Sequence, residues 1–160
     1  MHSRTALTLC LLLSAGGARA EQGTLQFTPR LAADNSLTVE LRNLSKLPIK
    51  LTGADLKFAA ATVGAVPCAM SLPGAVSIGP AETKTVSLGA ARDMGRCMPA
   101  PAGPTGSRRL SVLTAREFAQ PELRSARPAG GNLHPADLEY TLQIGDRTLT
   151  DTTTWHFVAE

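Results

Sequence analysis

Alternation of apolar and polar side chains over Ser36–Phe58 constrains the fold of this chain more than any other feature. Leu37, Val39 and Leu41 alternate with polar residues, which is the period-two pattern of a strand with one buried face. The pattern breaks across Asn43–Pro48 and then resumes. Since each such strand leaves one apolar face to be covered, the sequence predicts a second layer of structure packed on the first.

Short extended segments recur along most of the chain, and no segment shows a helical pattern. Pro29 confines the first predicted strand to a sheet edge or to a switch between sheets. The segment after Gly53 is either a separate strand or the preceding strand continued past a kink. The strands predicted before the final hairpin are Thr24–Leu31, Ser36–Leu44, Leu47–Thr52, Leu56–Ala60, Ala75–Ile78, Lys84–Leu88 and Arg108–Thr114.

The clearest hairpin closes the chain. Leu138–Ile144 alternates, Gly145-Asp146 forms a two-residue turn of the primed type, and a strand returns over Arg147–Phe157. In this register Leu149 lies across from Leu142. The hairpin adds two strands to those already predicted.

Together these segments predict an all-β fold, an immunoglobulin-like antiparallel β-sandwich of about seven to nine short strands. It forms one domain over residues 21–160. Residues 99–135 are rich in Pro, Gly and Arg, and we expect a long, loop-rich excursion there.

The first twenty residues have the features of a secretory signal peptide. An apolar run over Ala6–Leu13 follows a weakly basic start, and Ala18-Arg19-Ala20 fits the small-x-small cleavage pattern. The run is shorter than the roughly 20 residues that span a bilayer. The sequence therefore predicts an exported protein, periplasmic or secreted, without a membrane span after cleavage.

The basic character of the chain depends largely on this leader. Loss of Arg4 and Arg19 leaves fourteen basic side chains against thirteen acidic ones, a net charge of +1. The sequence pI of about 9.0 is thus no indication of a nucleic-acid partner.

Two cysteines, Cys68 and Cys97, remain after the leader. An even number of cysteines in an exported chain predicts a disulfide bond between them. In the chain-entropy description, a bridge that closes a loop of this size is worth about 3–4 kcal/mol. Free buried thiols are the alternative.

A cluster of arginines coincides with the Pro/Gly-rich excursion. Seven arginines and three acids between positions 92 and 127 give this segment a net charge of +4. The planar guanidinium fork suits carboxylates and phosphates, so a partner-binding role is one interpretation and a solvated loop is the other. Phe118 is the only aromatic residue here, which disfavours stacking on single-stranded nucleic acid. The candidate partner-binding residues are Arg92, Arg96, Arg108, Arg109, Arg116, Arg124 and Arg127.

Methionines surround both cysteines in sequence. Met70 lies near Cys68, and Met94 and Met98 flank Cys97. Thioethers suit Cu(I), and His134 or His156 could add a nitrogen ligand, so a copper-handling protein is an alternative function. The other interpretation is that these methionines fill the core around the bridge.

No catalytic or cofactor motif is present, and we expect neither enzymatic activity nor a cofactor. His134 and Asp137 are near each other in a predicted loop, which leaves an unrecognised enzyme site as a further alternative. His156, between Trp155 and Phe157, is expected to be exposed or paired with a neighbour. Asn43-Leu44-Ser45 matches a glycosylation acceptor, which matters only in a host with that machinery.

The leading functional hypothesis is an exported, non-enzymatic binding module. It would assist, chaperone or modulate the assembly of another envelope or secreted protein. Sandwiches bind partners through end loops or by adding a strand at an exposed edge. Two segments are candidate edges, Thr24–Leu31 and the threonine-rich Thr148–Thr154.

Overall fold

A computed structural model describes residues 24–59, 67–98, 110–120 and 133–159. The predicted signal peptide lies outside this range, as do four of the candidate arginines, Arg108, Arg109, Arg124 and Arg127. The elements are β1 (Leu25–Leu31), β2 (Leu37–Asn43), β3 (Ile49–Phe58), β4 (Ala69–Ser71), β5 (Val76–Ile78), β6 (Thr83–Gly89), α1 (Ala91–Cys97), β7 (Leu110–Thr114), α2 (Ala115–Phe118), β8 (Leu133–Ile144) and β9 (Arg147–Ala159).

The described strands form two antiparallel sheets, as the alternation predicts. One sheet has the order β1-β2-β6, and the other has the order β4-β3-β8-β9-β7 with β5 also paired to β3. The apolar faces of both sheets supply one hydrophobic core. The all-β, two-sheet architecture is confirmed, while the immunoglobulin-like connectivity stays a prediction.

Strand β3 keeps its apolar side chains on the inner face by means of a bulge. Leu51 pairs with Leu142 and Gly53 pairs with Thr141, so Thr52 is the extra residue. The inward series Ile49 and Leu51 is therefore followed by Ala54, Leu56 and Phe58 instead of odd-numbered residues. A bulge shifts the side-chain alternation by one residue without ending the strand. The segment after Gly53 is therefore the continuation of β3 and not a separate strand.

The final hairpin has the predicted register. Leu142 pairs with Leu149, and Ile144 pairs with Arg147 across Gly145-Asp146. Gly145 has φ of +58° and Asp146 has no positive φ, which is the pattern of a type II′ turn. The strand β8 begins at Leu133, however, so His134 and Pro135 lie in a strand and not in the expected loop.

Two short helices and one short strand differ from the sequence prediction. α1 buries Met94 and Cys97, which are spaced as neighbours on one helix face, and Asp93 accepts a hydrogen bond from the Ala90 N–H at 3.2 Å. α2 is a single turn, and β4 has three residues. Elements this short contain too few residues to show a periodic pattern in sequence. Their stability comes from tertiary contacts and not from local propensity.

Within the described residues, no helix has the length and apolar character needed to cross a membrane.

A buried amide joins the two ends of the β2–β3 connection to the β5–β6 turn. Asn43 is fully buried at the end of β2. Its amide nitrogen donates at 2.7–3.1 Å to the carbonyl oxygens of Leu47, Ile78 and Gly79. Its oxygen accepts from the backbone N–H and the hydroxyl of Ser45, both at 2.8 Å. The nitrogen that glycosylation would modify is therefore enclosed by carbonyl groups in the folded protein.

We predict that Asn43→Asp lowers the free energy of unfolding by about 3 kcal/mol, because a carboxylate would face three carbonyl oxygens without a proton to donate. Urea unfolding measures this change. The matched control is Gln143→Glu, the same chemical change on an exposed strand position, which should alter stability by less than about 0.5 kcal/mol. Equal effects of the two substitutions would contradict the role assigned to Asn43.

Candidate functional site

Strand β9 has one neighbour that pairs with nearly all of it and one that pairs with only its end. On one side it pairs with β8 from Arg147 to Val158. On the other side it pairs with β7, and this pairing involves only Trp155–Ala159. No strand of the described residues pairs with Arg147–Thr154 on that side. These eight residues, about 25 Å of strand, are called the open edge below.

The four threonines of the open edge present their backbone groups outward. A two-residue hairpin closes with a hydrogen-bonded pair, here Ile144 and Arg147, and hydrogen-bonded and non-hydrogen-bonded pairs then alternate along the ladder. The residues whose N–H and C=O groups point away from β8 are Thr148, Thr150, Thr152 and Thr154. An extended segment lying beside β9 would find its hydrogen-bonding partners at these positions.

The threonine side chains lie on the outer face of the large sheet, which is polar. The hydroxyls of Thr141 and Thr150 are 3.2 Å apart, and Thr154 donates to Asp137 at 2.7 Å. On the same face, the hydrogen bond from Lys57 to the Glu139 carboxylate raises the pKa of the lysine. Satisfied cross-strand pairs of this kind stabilise the hairpin without a second layer over the face.

A groove lies on the inner side of the open edge, between β9 and the edge strand β1. Its volume is about 680 Å³. Leu25 and Phe27 of β1 line one wall, and Tyr140, Thr153 and Trp155 line the other. The rings of Phe27 and Tyr140 lie 4.5 Å apart across the two sheets. The groove is therefore an aromatic recess that opens beside backbone groups with which no strand of the described residues pairs.

An exposed leucine and residues of α2 also line the groove. Leu44, a half-exposed leucine that follows β2, lies at the groove, and so do the α2 residues Ala115 and Arg116. The single turn of α2 is capped reciprocally, because Glu117 donates its N–H to the Thr114 hydroxyl and accepts from the Thr114 N–H and hydroxyl. The Thr-x-x-Glu spacing is a sequence signature of a helix start that could have identified α2.

Helix α2 is held against β9 by an aromatic contact. The rings of Phe118 and His156 are stacked, with centroids 3.6 Å apart and planes inclined by 3°. His156 is half-buried on the outer face of β9 and has a neighbour there, as the sequence predicts. This contact holds α2, and with it Arg116, beside the groove.

The structure separates the candidate arginines that it describes. Arg116 lies in α2 beside the groove, where α2 contacts β7 and β9. Arg92 and Arg96 are exposed on α1, which contacts β6 at the opposite side of the sandwich. Arg96 lies 3.9 Å from Asp93 of its own helix. Within the described residues, only Arg116 is placed at the groove.

The cysteines are joined as predicted. Cys68 and Cys97 form a disulfide bond with Cα atoms 5.2 Å apart, which ties α1 to the chain ahead of β4. A disulfide bond fits an oxidising compartment such as the periplasm or the extracellular space.

Two of the proposed copper ligands, Met70 and His134, lie well apart in the structure. Met70, Met94 and Met98 are all buried in the core. Met70 is level with Leu138 across β3, and His134 lies four residues further along β8, so roughly 15 Å separates the two backbones. In the described ranges, no group of three His, Cys, Asp or Glu residues is arranged to hold a metal ion.

His134 and Asp137, which are near each other in sequence, lie on opposite faces of β8. By the alternation of β8, His134 shares the inner face with the buried Ala136, whereas Asp137 is exposed on the outer face and accepts from Thr154. An odd sequence separation within a strand places two side chains on opposite faces.

Comparison with known proteins gives no family for this chain. No family model matches its sequence, and no curated protein is similar to it.

We predict that the disulfide-bonded protein binds Cu(I) no more tightly than micromolar in an anaerobic titration, because its thioethers pack in the core and its cysteine sulfurs are bonded to each other. The matched control is Met94→Leu, which keeps the volume of the side chain and removes the sulfur. A tighter site that is lost in Met94→Leu would contradict this prediction.

Proposed function

We propose that this protein is an exported, non-enzymatic binding module that accepts an extended segment of another envelope or secreted protein at the open edge of β9. In this role it assists, chaperones or modulates the assembly of that protein. The observation that carries the proposal is the unpaired side of Arg147–Thr154 within the described residues. An edge of this kind is a template for strand addition.

The groove supplies the sequence specificity that backbone hydrogen bonds lack. Hydrogen bonds to the threonine backbone groups are the same for any extended segment, so they carry no sequence information. A side chain that enters the recess beside Tyr140 and Trp155 would add about 1.5–3 kcal/mol if it is a fully buried Val, Leu, Ile or Phe. Partner selection therefore resides in the inward-facing side chains of the bound segment.

The compartment is consistent with this role. The disulfide bond fits export, and the predicted signal peptide indicates the same route. We place the protein in the periplasm if the source is Gram-negative, and outside the cell otherwise. Segments of envelope proteins that await assembly are exposed there, and pairing at an open edge would cover their backbone groups.

We predict that wild-type protein recovers a stoichiometric partner from the periplasmic or secreted fraction of its source, and that Thr150→Pro does not. Proline removes the outward N–H of Thr150 and leaves the pairing of its neighbours with β8 in place. Pull-down followed by mass spectrometry measures the recovery.

Thr150→Ala is the matched control, since it keeps the N–H and should recover the partner as wild type does. Thermal unfolding checks that Thr150→Pro is folded, and Thr148→Pro provides a second outward position. Recovery of the same partner by a folded proline variant, or of no partner by wild type, would overturn the proposal.

A further inference from the structure

One acidic side chain lies on the inner side of the open edge. Arg147, Leu149, Asp151 and Thr153 share the inner face of this segment by alternation; Arg147 is exposed beside the turn, and Asp151 is the only acidic residue among the four. It is half-buried, and none of the ion pairs within the described residues includes it. An inward-pointing charge is a common way to keep an edge strand from pairing with any available chain.

The carboxylate of Asp151 occupies a hydrogen-bonding position of the edge. Its Oδ1 accepts from the N–H of Thr152 at 2.8 Å, and its Oδ2 accepts from the Tyr140 hydroxyl at 3.3 Å. The Thr152 N–H is one of the outward donors that an added strand would use. A segment that pairs along the whole edge must therefore take this donor and displace the carboxylate.

Displacement leaves a carboxylate that has lost a hydrogen bond beside a strand that excludes water. An anion in this position is costly unless a cation or new donors reach it. Because Asp151 points its backbone groups toward β8, the residue facing it on an added strand would form a non-hydrogen-bonded pair, the geometry that brings side chains closest. The facing residue therefore determines the cost of opening the edge.

We propose that the open edge selects extended segments in which a basic residue, Lys or Arg, lies between two apolar residues at alternate positions, with the basic residue facing Asp151. This inference rests on the proposed function and specifies its partner. One apolar side chain would face Thr153 and enter the groove beside Trp155 and Tyr140, and the other would face Leu149. The pattern reads the same in both directions, so it holds for parallel and antiparallel addition.

The basic residues beside the groove and on the same face of the open edge do not supply the cation for this position. Neither Arg116 of α2 nor Arg147 of the open edge forms an ion pair with Asp151 in the described part of the chain. The acidic position is therefore available for a residue of the partner.

Three blocked peptides of the form Thr-Val-Thr-X-Thr-Val-Thr, with X as Lys, Gln or Glu, test the proposal. The chain has one tryptophan and one tyrosine, and both line the groove, so intrinsic fluorescence reports binding there. We expect the Lys peptide to bind about fivefold more tightly than the Gln peptide, and the Glu peptide to bind more weakly than both.

Asp151→Asn is the matched protein variant, because its amide oxygen still accepts from Thr152 and only the charge is lost. On this variant the three peptides should bind equally. Equal binding of the three peptides to wild type would overturn the charge selection and leave the proposed function standing. If none of the peptides binds to either protein, the edge does not accept strands and the proposed function fails with it.

Sedimentation velocity tests whether a second copy of this chain, and not a partner segment, covers the open edge. Dimerisation of wild type that Thr150→Pro abolishes would show that a second copy of this chain covers the edge, and this would overturn the proposal. Aggregation of Asp151→Asn without peptide binding would likewise show that Asp151 only protects the edge.

Discussion

The structure depends on the burial of one apolar face from each of two sheets against the other. Alternation in β2 and β3 creates these faces, and neither sheet is stable with its face in water. The bulge at Thr52 shows how strongly this constraint acts. Without the extra residue, Ala54, Leu56 and Phe58 would point to solvent, so the chain accepts a break in the ladder to keep them inside.

Along the first half of β9, the inner face of the large sheet is only partly buried. The candidate site results from this incomplete burial. Where a closed sandwich would bury apolar side chains, β9 carries Asp151 and Thr153, and its covering strand β7 ends at Thr114. The aromatic side chains of the neighbouring strands therefore line a groove instead of a filled core. A strand added by a partner would complete both the hydrogen bonding and the packing, which is why the open edge and the groove are one site.

The sequence predicts features that depend on local patterns and misses those that depend on distant contacts. The final hairpin is predictable because alternation and Gly145-Asp146 are contiguous in the chain. The polar alternation of Thr148–Thr154 also predicts a candidate edge. No local pattern predicts the groove, since it exists only because β7 pairs with the end of β9 and β1 faces them from the other sheet. Tertiary contacts also determine α1, whose seven residues include Gly95 and are held by the buried Met94 and by the disulfide bond.

Amide hydrogen exchange along β9 is the most direct test of the open edge. The amides of Leu149 and Thr153 donate to β8 in the assigned pairing and should be protected, whereas those of Thr148, Thr150 and Thr154 should exchange close to the rate of an unpaired strand. His156 and Val158 should be protected by β7. Alternating protection over Arg147–Thr154 that becomes uniform when a partner segment binds is the result we predict. Uniform protection of these residues in the isolated protein would show that the edge is already covered and would contradict the account.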